Sequence, residues 1–156
     1  MTSNSIDNIK HLSKAPSLYP ERILAVQVIY SMDILGGKKS LVQVASEYIT
    51  YHTEKYPEQN LNQKFYLNLL KSVYNHLEHI DKKISINLDS SWKLERIPKL
   101  VLAILRVGST EITISKKSQI ALIINDYLQT SKSLNHEGEI GFINIILDKI
   151  AKENQY

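Results

Sequence analysis

Apolar positions recur along most of the chain in steps of three and four, the spacing that lines one face of a helix. They do so first at Ile23, Val26, Tyr30 and Ile34. Pro20 opens this segment, where a helix does not need the missing N–H, and Gly36-Gly37 closes it. Ser40 is placed to cap a second helix with an expected inner face of Leu41, Val44, Ala45, Tyr48 and Tyr51, stopped by Pro57. A third segment runs from about Leu61 to Leu88, with Phe65, Leu69, Val73, Leu77, Ile80 and Ile84 in step, until Asp89-Ser90-Ser91 breaks it. Trp92 and Leu94 lie in the connection, and Pro98 opens the next element.

Leu100 to Val107 is almost wholly apolar. By composition it fits a buried strand or a helix apolar all round, and such a helix belongs at the centre of a bundle. Its continuation past Gly108 to Ile114, with no partner strand elsewhere, favours the helix. Ser115 or Ser118 is then expected to cap a helix carrying Ile120, Ile123, Ile124, Tyr127 and Leu128. After a loop at Leu134 to Gly138, the last helix buries Phe142, Ile143, Ile146, Leu147 and Ile150. Nothing alternates like a hairpin, and no Asn-Gly or Asp-Gly turn joins two β-rich runs. The expectation is a compact all-α domain of six to seven helices over 20–156, preceded by an arm at 1–19 that is rich in Ser, Asn and Lys and has no apolar period.

Composition narrows the class. A length of 156 residues suits one domain. With 43% hydrophobic and 22% charged residues, it reads as globular. The absence of cysteine removes a disulfide scaffold, a thiolate zinc site and a cysteine nucleophile. No apolar run approaches the roughly 20 residues of a membrane helix, and Met1 to Lys14 lacks a signal peptide's apolar core. A cytoplasmic protein without a membrane partner is expected. The net charge of +3 is uneven: residues 62–133 hold eleven basic and six acidic side chains, whereas 134–156 hold two and four. That positive middle fits either an anionic partner such as nucleic acid or a solvated lysine-rich surface.

Candidate chemistry is sparse. His76 and His79 stand three apart, not at the i, i+4 spacing of a zincin helix, and read as surface residues with no metal. Arg106 and Glu111 are the only charges between Leu100 and Ile114. They are expected to form a structural charge pair, Arg106 taking Glu111 or a carboxylate from another helix, since an unpaired buried charge is very costly. Asp126 is read as an acceptor for a neighbouring helix rather than a general base. No phosphate-binding glycine loop and no serine elbow occur. The chain therefore reads as a binding module with no catalytic residue and no cofactor.

Four ordered segments carry a resemblance. They are Arg22-Ile-Leu-Ala25-Val26-Gln27-Val28-Ile29-Tyr30, then Trp92-Lys-Leu-Glu-Arg96-Ile97 with Ala103-Ile104-Leu105-Arg106 and Glu111, then Ile124-Asn125-Asp126-Tyr127 with Ser131-Lys132, and finally Gly141-Phe142-Ile143-Asn144-Ile145-Ile146-Leu147-Asp148-Lys149-Ile150-Ala151. In this order and spacing they resemble the NusB family of bacterial transcription antitermination factors, over most of the chain. The resemblance implies two small helical bundles and no catalysis. It implies binding of boxA RNA in ribosomal RNA operon transcripts together with NusE, a protein of the small ribosomal subunit, in a complex with other Nus factors and RNA polymerase that suppresses premature termination.

By position, the resemblance implies that Tyr30 and Phe142 help hold RNA, although both also fit apolar helix faces. Arg22, with Lys10 and Lys14 upstream, stands where the family carries an arginine-rich stretch, here thinner and interrupted by Glu21. Gln27 either reaches a base edge or caps the bundle. Ile145 replaces a family glycine and is expected to push its helix off a close neighbour. Two rivals remain: a module that binds NusE or itself without RNA, and the NusB-like N-terminal domain of an rRNA cytosine methyltransferase. The second is disfavoured by the missing cysteine and by a chain ending at Tyr156, directly after the matched region.

Overall fold

Helix α1 runs from Tyr19 to Leu35 with Pro20 in its first turn. The computed structural model describes residues 17–153, so the arm expected over 1–19 lies outside it except for its last three residues, of which Tyr19 already belongs to α1. The helix ends at Gly36, whose φ of 59° is left-handed and whose N–H returns to the Met32 carbonyl; Gly37 follows at φ 86°. Glycine is the residue that takes this conformation without strain. Helix α2, Leu41–Lys55, starts where the Gln43 N–H donates to Ser40 Oγ at 3.2 Å. Val44 and Ala45 are buried, but Tyr51, expected on the same face, is 65% exposed. It stands about 80° around the helix from Leu41.

The single segment expected over 61–88 is two helices, α3 (Gln63–Asn75) and α4 (Leu77–Ile86). The break is at His76, where φ −118° and ψ 21° leave the helical region. Its ring Nδ1 lies 2.9 Å from the Ser72 carbonyl, which its own backbone N–H also reaches. A 3₁₀ turn at Leu94–Arg96 leads through Pro98 into α5, Lys99–Ile114. Further 3₁₀ turns, Lys117–Gln119 and Glu137–Glu139, enter α6 (Ile120–Ser133) and α7 (Ile140–Glu153). Neither Ser115 nor Ser118 caps α6. Gln119 holds the cap position, and Ser115 Oγ donates back to the Glu111 carbonyl. The described residues form seven α-helices and no strand.

Helices α1, α2 and α3 pack on one another, and α4, α6 and α7 pack on α5, giving two small bundles that meet where α1 lies along α5 and α6. Helix α5 is central, as its all-round apolarity requires: from Val101 to Ile112 only Arg106 is not buried. Gly108 sits in its middle, where glycine costs helix stability. A Cβ there would lie 3.2–3.3 Å from Leu147 and Tyr127 side-chain carbons, so the glycine allows α6 and α7 to approach. Helix α1 is also enclosed on several sides, so Leu24, Ala25, Val28 and Ile29 are buried along with Val26, not the single face expected.

The Arg106–Glu111 pair does not form. Five residues along a helix turn through about 140° relative to one another, so the two side chains leave α5 on different sides. Arg106 instead takes a carboxylate from another helix, the alternative partner expected for it. Its Nε and Nη2 donate to the two oxygens of Asp81 on α4 at 2.8 and 2.9 Å, with Asp33 of α1 at 3.8 Å. Nor does Ile145 push α7 away from a neighbour; it is 56% exposed.

Candidate nucleic-acid interface

The segment of α1 that carries the candidate residues begins with two buried charges, Glu21 and Arg22. Glu21 Oε2 accepts the Asn62 backbone N–H at 3.1 Å, at the start of α3, and Asn62 Oδ1 in turn accepts the Phe65 N–H. This tie fixes α3 against α1 and brings the Phe65 ring to 5.5 Å from the Arg22 guanidinium carbon.

Arg22 was expected to hold phosphate, and it points inward. It is 5% exposed. Its Nε donates to Glu111 Oε1 at 2.8 Å, its Nη2 to Glu111 Oε2, and its Nη1 to Asp126 Oδ2 at 2.8 Å. Tyr127 completes the knot by donating its hydroxyl to Glu111 Oε1 at 2.7 Å. Burial works against the Arg22 charge, but the hydrogen bonds and field of Glu111, helped by Asp126, outweigh it and raise its pKa above the ordinary arginine value. Held by two carboxylates and sealed from solvent, this guanidinium does not reach a phosphate. The partners come from α5 and α6, so the knot joins the two bundles. Asp126 accepts from a neighbouring helix, as its sequence position suggested. The Tyr127 phenol is held well above its ordinary pKa, first by burial and then by the Glu111 charge.

The other candidates keep accessible surface. Gln27 and Tyr30 are half-buried on α1, and within the described residues neither the amide nor the phenol has a hydrogen-bond partner. A cap on the bundle by the Gln27 amide is therefore not formed among those residues. Phe142 is half-buried at the start of α7 and packs on the core. The ring it meets is that of Trp92, with centroids 5.8 Å apart and planes inclined by 32°. Lys10 and Lys14 lie outside the described residues. The structure thus gathers Arg22, Glu111 and Asp126, separates Arg106 from Glu111, and sets Trp92 beside Phe142. That last contact links positions 50 residues apart in sequence and had no local signal beyond an aromatic in a polar connection.

A family model described as the NusB family matches residues 20–152. A relative from Bartonella quintana (strain Toulouse), named transcription antitermination protein NusB, is 30% identical over 136 residues, covering 85% of this chain and 86% of its own length. One of the same name from Caulobacter vibrioides (strain ATCC 19089 / CIP 103742 / CB 15) is 32% identical over 135 residues, covering 85% and 90%. Among solved structures, T. maritima NusB superposes with a TM-score of 0.76 at 23% identity, over 88% of this chain and 92% of that one. A chain from the crystal structure of antitermination factors NusB and NusE in complex with dsRNA gives 0.73 at 22% identity, over 86% and 96%. The two structures carry the fold. No helix of the described residues is long and apolar enough to cross a membrane.

Proposed function

The chain belongs to the NusB family, and from that premise we propose that it is a transcription antitermination factor that binds boxA RNA together with NusE and acts by binding, without catalysis. The observation that carries this reading is the family match, which runs unbroken from the first turn of α1 to the last turn of α7 and joins relatives named for antitermination. The complex of a NusB with NusE and dsRNA, whose NusB-like chain shares this fold, supports the choice of partners. Other Nus factors and RNA polymerase would be met through that complex, in the cytoplasm. The whole span 20–156 serves as one binding domain.

Within this reading Tyr30 and Phe142 stack on unpaired bases and Gln27 reaches a base edge with its amide. Arg22 is withdrawn from the phosphate-binding set, because it is buried and its charge is matched by Glu111 and Asp126 within the protein. Lys10 and Lys14 remain in it. With so few cations, binding by the isolated protein is weak and tightens when NusE adds contacts. One observation favours a second reading, a NusE-binding module without RNA contact of its own: the burial of Arg22 thins an already sparse basic stretch.

A gel shift decides between them, with boxA and scrambled RNA, with and without NusE, across salt concentrations. The expected result is a boxA preference in the NusE complex. The Tyr30→Ala variant should weaken binding by about ten-fold and leave the salt slope unchanged. A NusE complex with no preference for boxA would give way to the protein-only reading.

A further inference from the structure

Trp92 is the chain's only tryptophan, and it is not where an apolar ring gains most. A buried tryptophan is a large source of stability, yet this one is 49% exposed. Its segment is nevertheless fixed. The Trp92 N–H donates to the Asp89 carbonyl at 2.8 Å, Leu94 packs on the core, and Ile97 is buried. One part of the indole rests on Phe142, itself anchored on the core, and its Nε1–H has no partner within the described residues. Lys93, Arg96 and Lys99 follow at once. All three are exposed, and among the described residues none is in an ion pair. Glu95 lies between them, and Glu137 and Glu139 lie on the turn that leads into α7.

We propose that Trp92, lying on Phe142, is a base-stacking residue for single-stranded RNA, with Lys93, Arg96 and Lys99 following the phosphates beside it. This rests on the RNA-binding reading above and extends it to a residue on a different element. Stacking needs an aromatic face that is held in place and open to solvent, and a base can lie on any π-face whatever its sequence. Two rings flanked by exposed cations suit an unpaired anionic strand, whose bases the rings meet and whose phosphates the cations meet. The nearby glutamates offset part of the positive charge, so stacking carries a larger share of the binding than release of counterions, and the salt dependence contributed by this site is shallow.

The single tryptophan makes the test direct. Wild-type protein in complex with NusE is titrated with single-stranded boxA RNA while indole emission is followed under red-edge excitation, with the Trp92→Phe complex as background. Binding is measured separately from the anisotropy of end-labelled RNA. Quenching of Trp92 and its protection from acrylamide should saturate together with the anisotropy. Trp92→Ala should bind about ten-fold more weakly with an unchanged salt slope, whereas Trp92→Phe, which keeps a ring, should stay within about three-fold. The Phe variant and the wild-type emission decide the matter even if the Ala variant folds poorly. Normal RNA binding with unmoved emission and a Trp92→Ala variant of wild-type affinity would overturn the proposal and leave the RNA-binding reading standing. A Trp92 signal that moves with NusE alone, with Trp92→Ala weakening NusE and not RNA, would make this face a protein contact and also overturn it. Absence of any RNA binding by the NusE complex would remove both.

Discussion

The knot around Arg22 and the surface around Trp92 are assembled alike and do opposite things. Each joins residues far apart in sequence: Arg22 meets Glu111 and Asp126 across 89 and 104 positions, and Trp92, on the connection between α4 and α5, meets Phe142 on α7. They differ in what is left unsatisfied. In the knot the guanidinium, the two carboxylates and the Tyr127 hydroxyl are bonded among themselves and buried, so their charges are matched out of a ligand's reach. On the surface the indole N–H and three cations have no partner among the described residues. Residue type alone would rank the arginine first as a nucleic-acid contact. The state of its hydrogen bonds reverses the order.

The sharpest way to break this comparison is to remove the arginine. Arg22→Ala leaves Glu111 and Asp126 buried without their cation, and it should cost about 3–5 kcal/mol of stability, the usual penalty for breaking a buried pair from one side. Urea denaturation would read this as a lower midpoint. The combination of Arg22→Met, Glu111→Leu and Asp126→Asn with Tyr127→Phe, which removes every charge of the knot and the phenol left without an acceptor, should recover much of the loss. An Arg22→Ala protein as stable as wild type but deficient in RNA binding would place Arg22 among surface contacts after all, and the contrast between the two regions would fall.

A smaller effect sharpens the same contrast through pH. The Tyr127 phenol is buried and donates to Glu111, and burial, followed by the Glu111 charge, raises its pKa in the folded protein. Tyr66 is raised too, first by burial and then by the field of Tyr48, and its hydroxyl donates to the Ala45 carbonyl. In the unfolded chain both titrate near the ordinary value of about 10. Below that pH both states hold the proton and the stabilisation is complete. Above it the unfolded state loses protons that the folded state keeps, so stability falls as pH rises, by up to about 1.4 kcal/mol per pH unit for each tyrosine. Urea midpoints measured between about pH 9 and pH 11 should show the decline, and Tyr127→Phe should remove one tyrosine's share of the slope. An unaltered slope in that variant would mean that the phenol is not enclosed.

Local features were legible in the sequence and distant partnerships were not. Gly36-Gly37, Ser40 and the apolar run of α5 act within a few residues of themselves, and the helix ends and the central helix stand where those signals put them. The break at His76 was half-visible, since the apolar step changes from four to three as Leu77 gives way to Ile80, but a one-residue change of step is also compatible with a continuous helix. For Arg106 the sequence offers Glu111 by nearness, or a carboxylate from another helix, and the second is what forms. Helical rotation excludes the first, while Asp81 could not be singled out without the packing of α4 on α5. Arg22 carries the same lesson into the candidate site. The resemblance marked the position, but only its surroundings show that its charge is already matched. Trp92 belongs to one of the ordered segments, and nothing within that segment tells an exposed ring from a buried one.

The smallest expected effect concerns Ile145, an exposed position of α7 three residues after the half-buried Phe142. Two adjacent helical positions of this kind lie about one turn apart and are neighbours on the surface. If Ile145 strained the packing, replacing it with the family's glycine would relieve the strain and stabilise the fold. Its 56% exposure predicts otherwise, because a side chain mostly in water has little packing to gain or lose. Intrinsic helix preference should then set the order alone. Ile145→Ala should lie within about 0.5 kcal/mol of wild type on the stable side, and Ile145→Gly about 0.5 kcal/mol on the unstable side, as the propensities of the three residues require. Thermal and urea denaturation of the three proteins would resolve the order. A loss well beyond 1 kcal/mol for Ile145→Ala, about twice what propensity allows, would show that this face of α7 is packed, and the surface beside Trp92 would have to be redrawn without it.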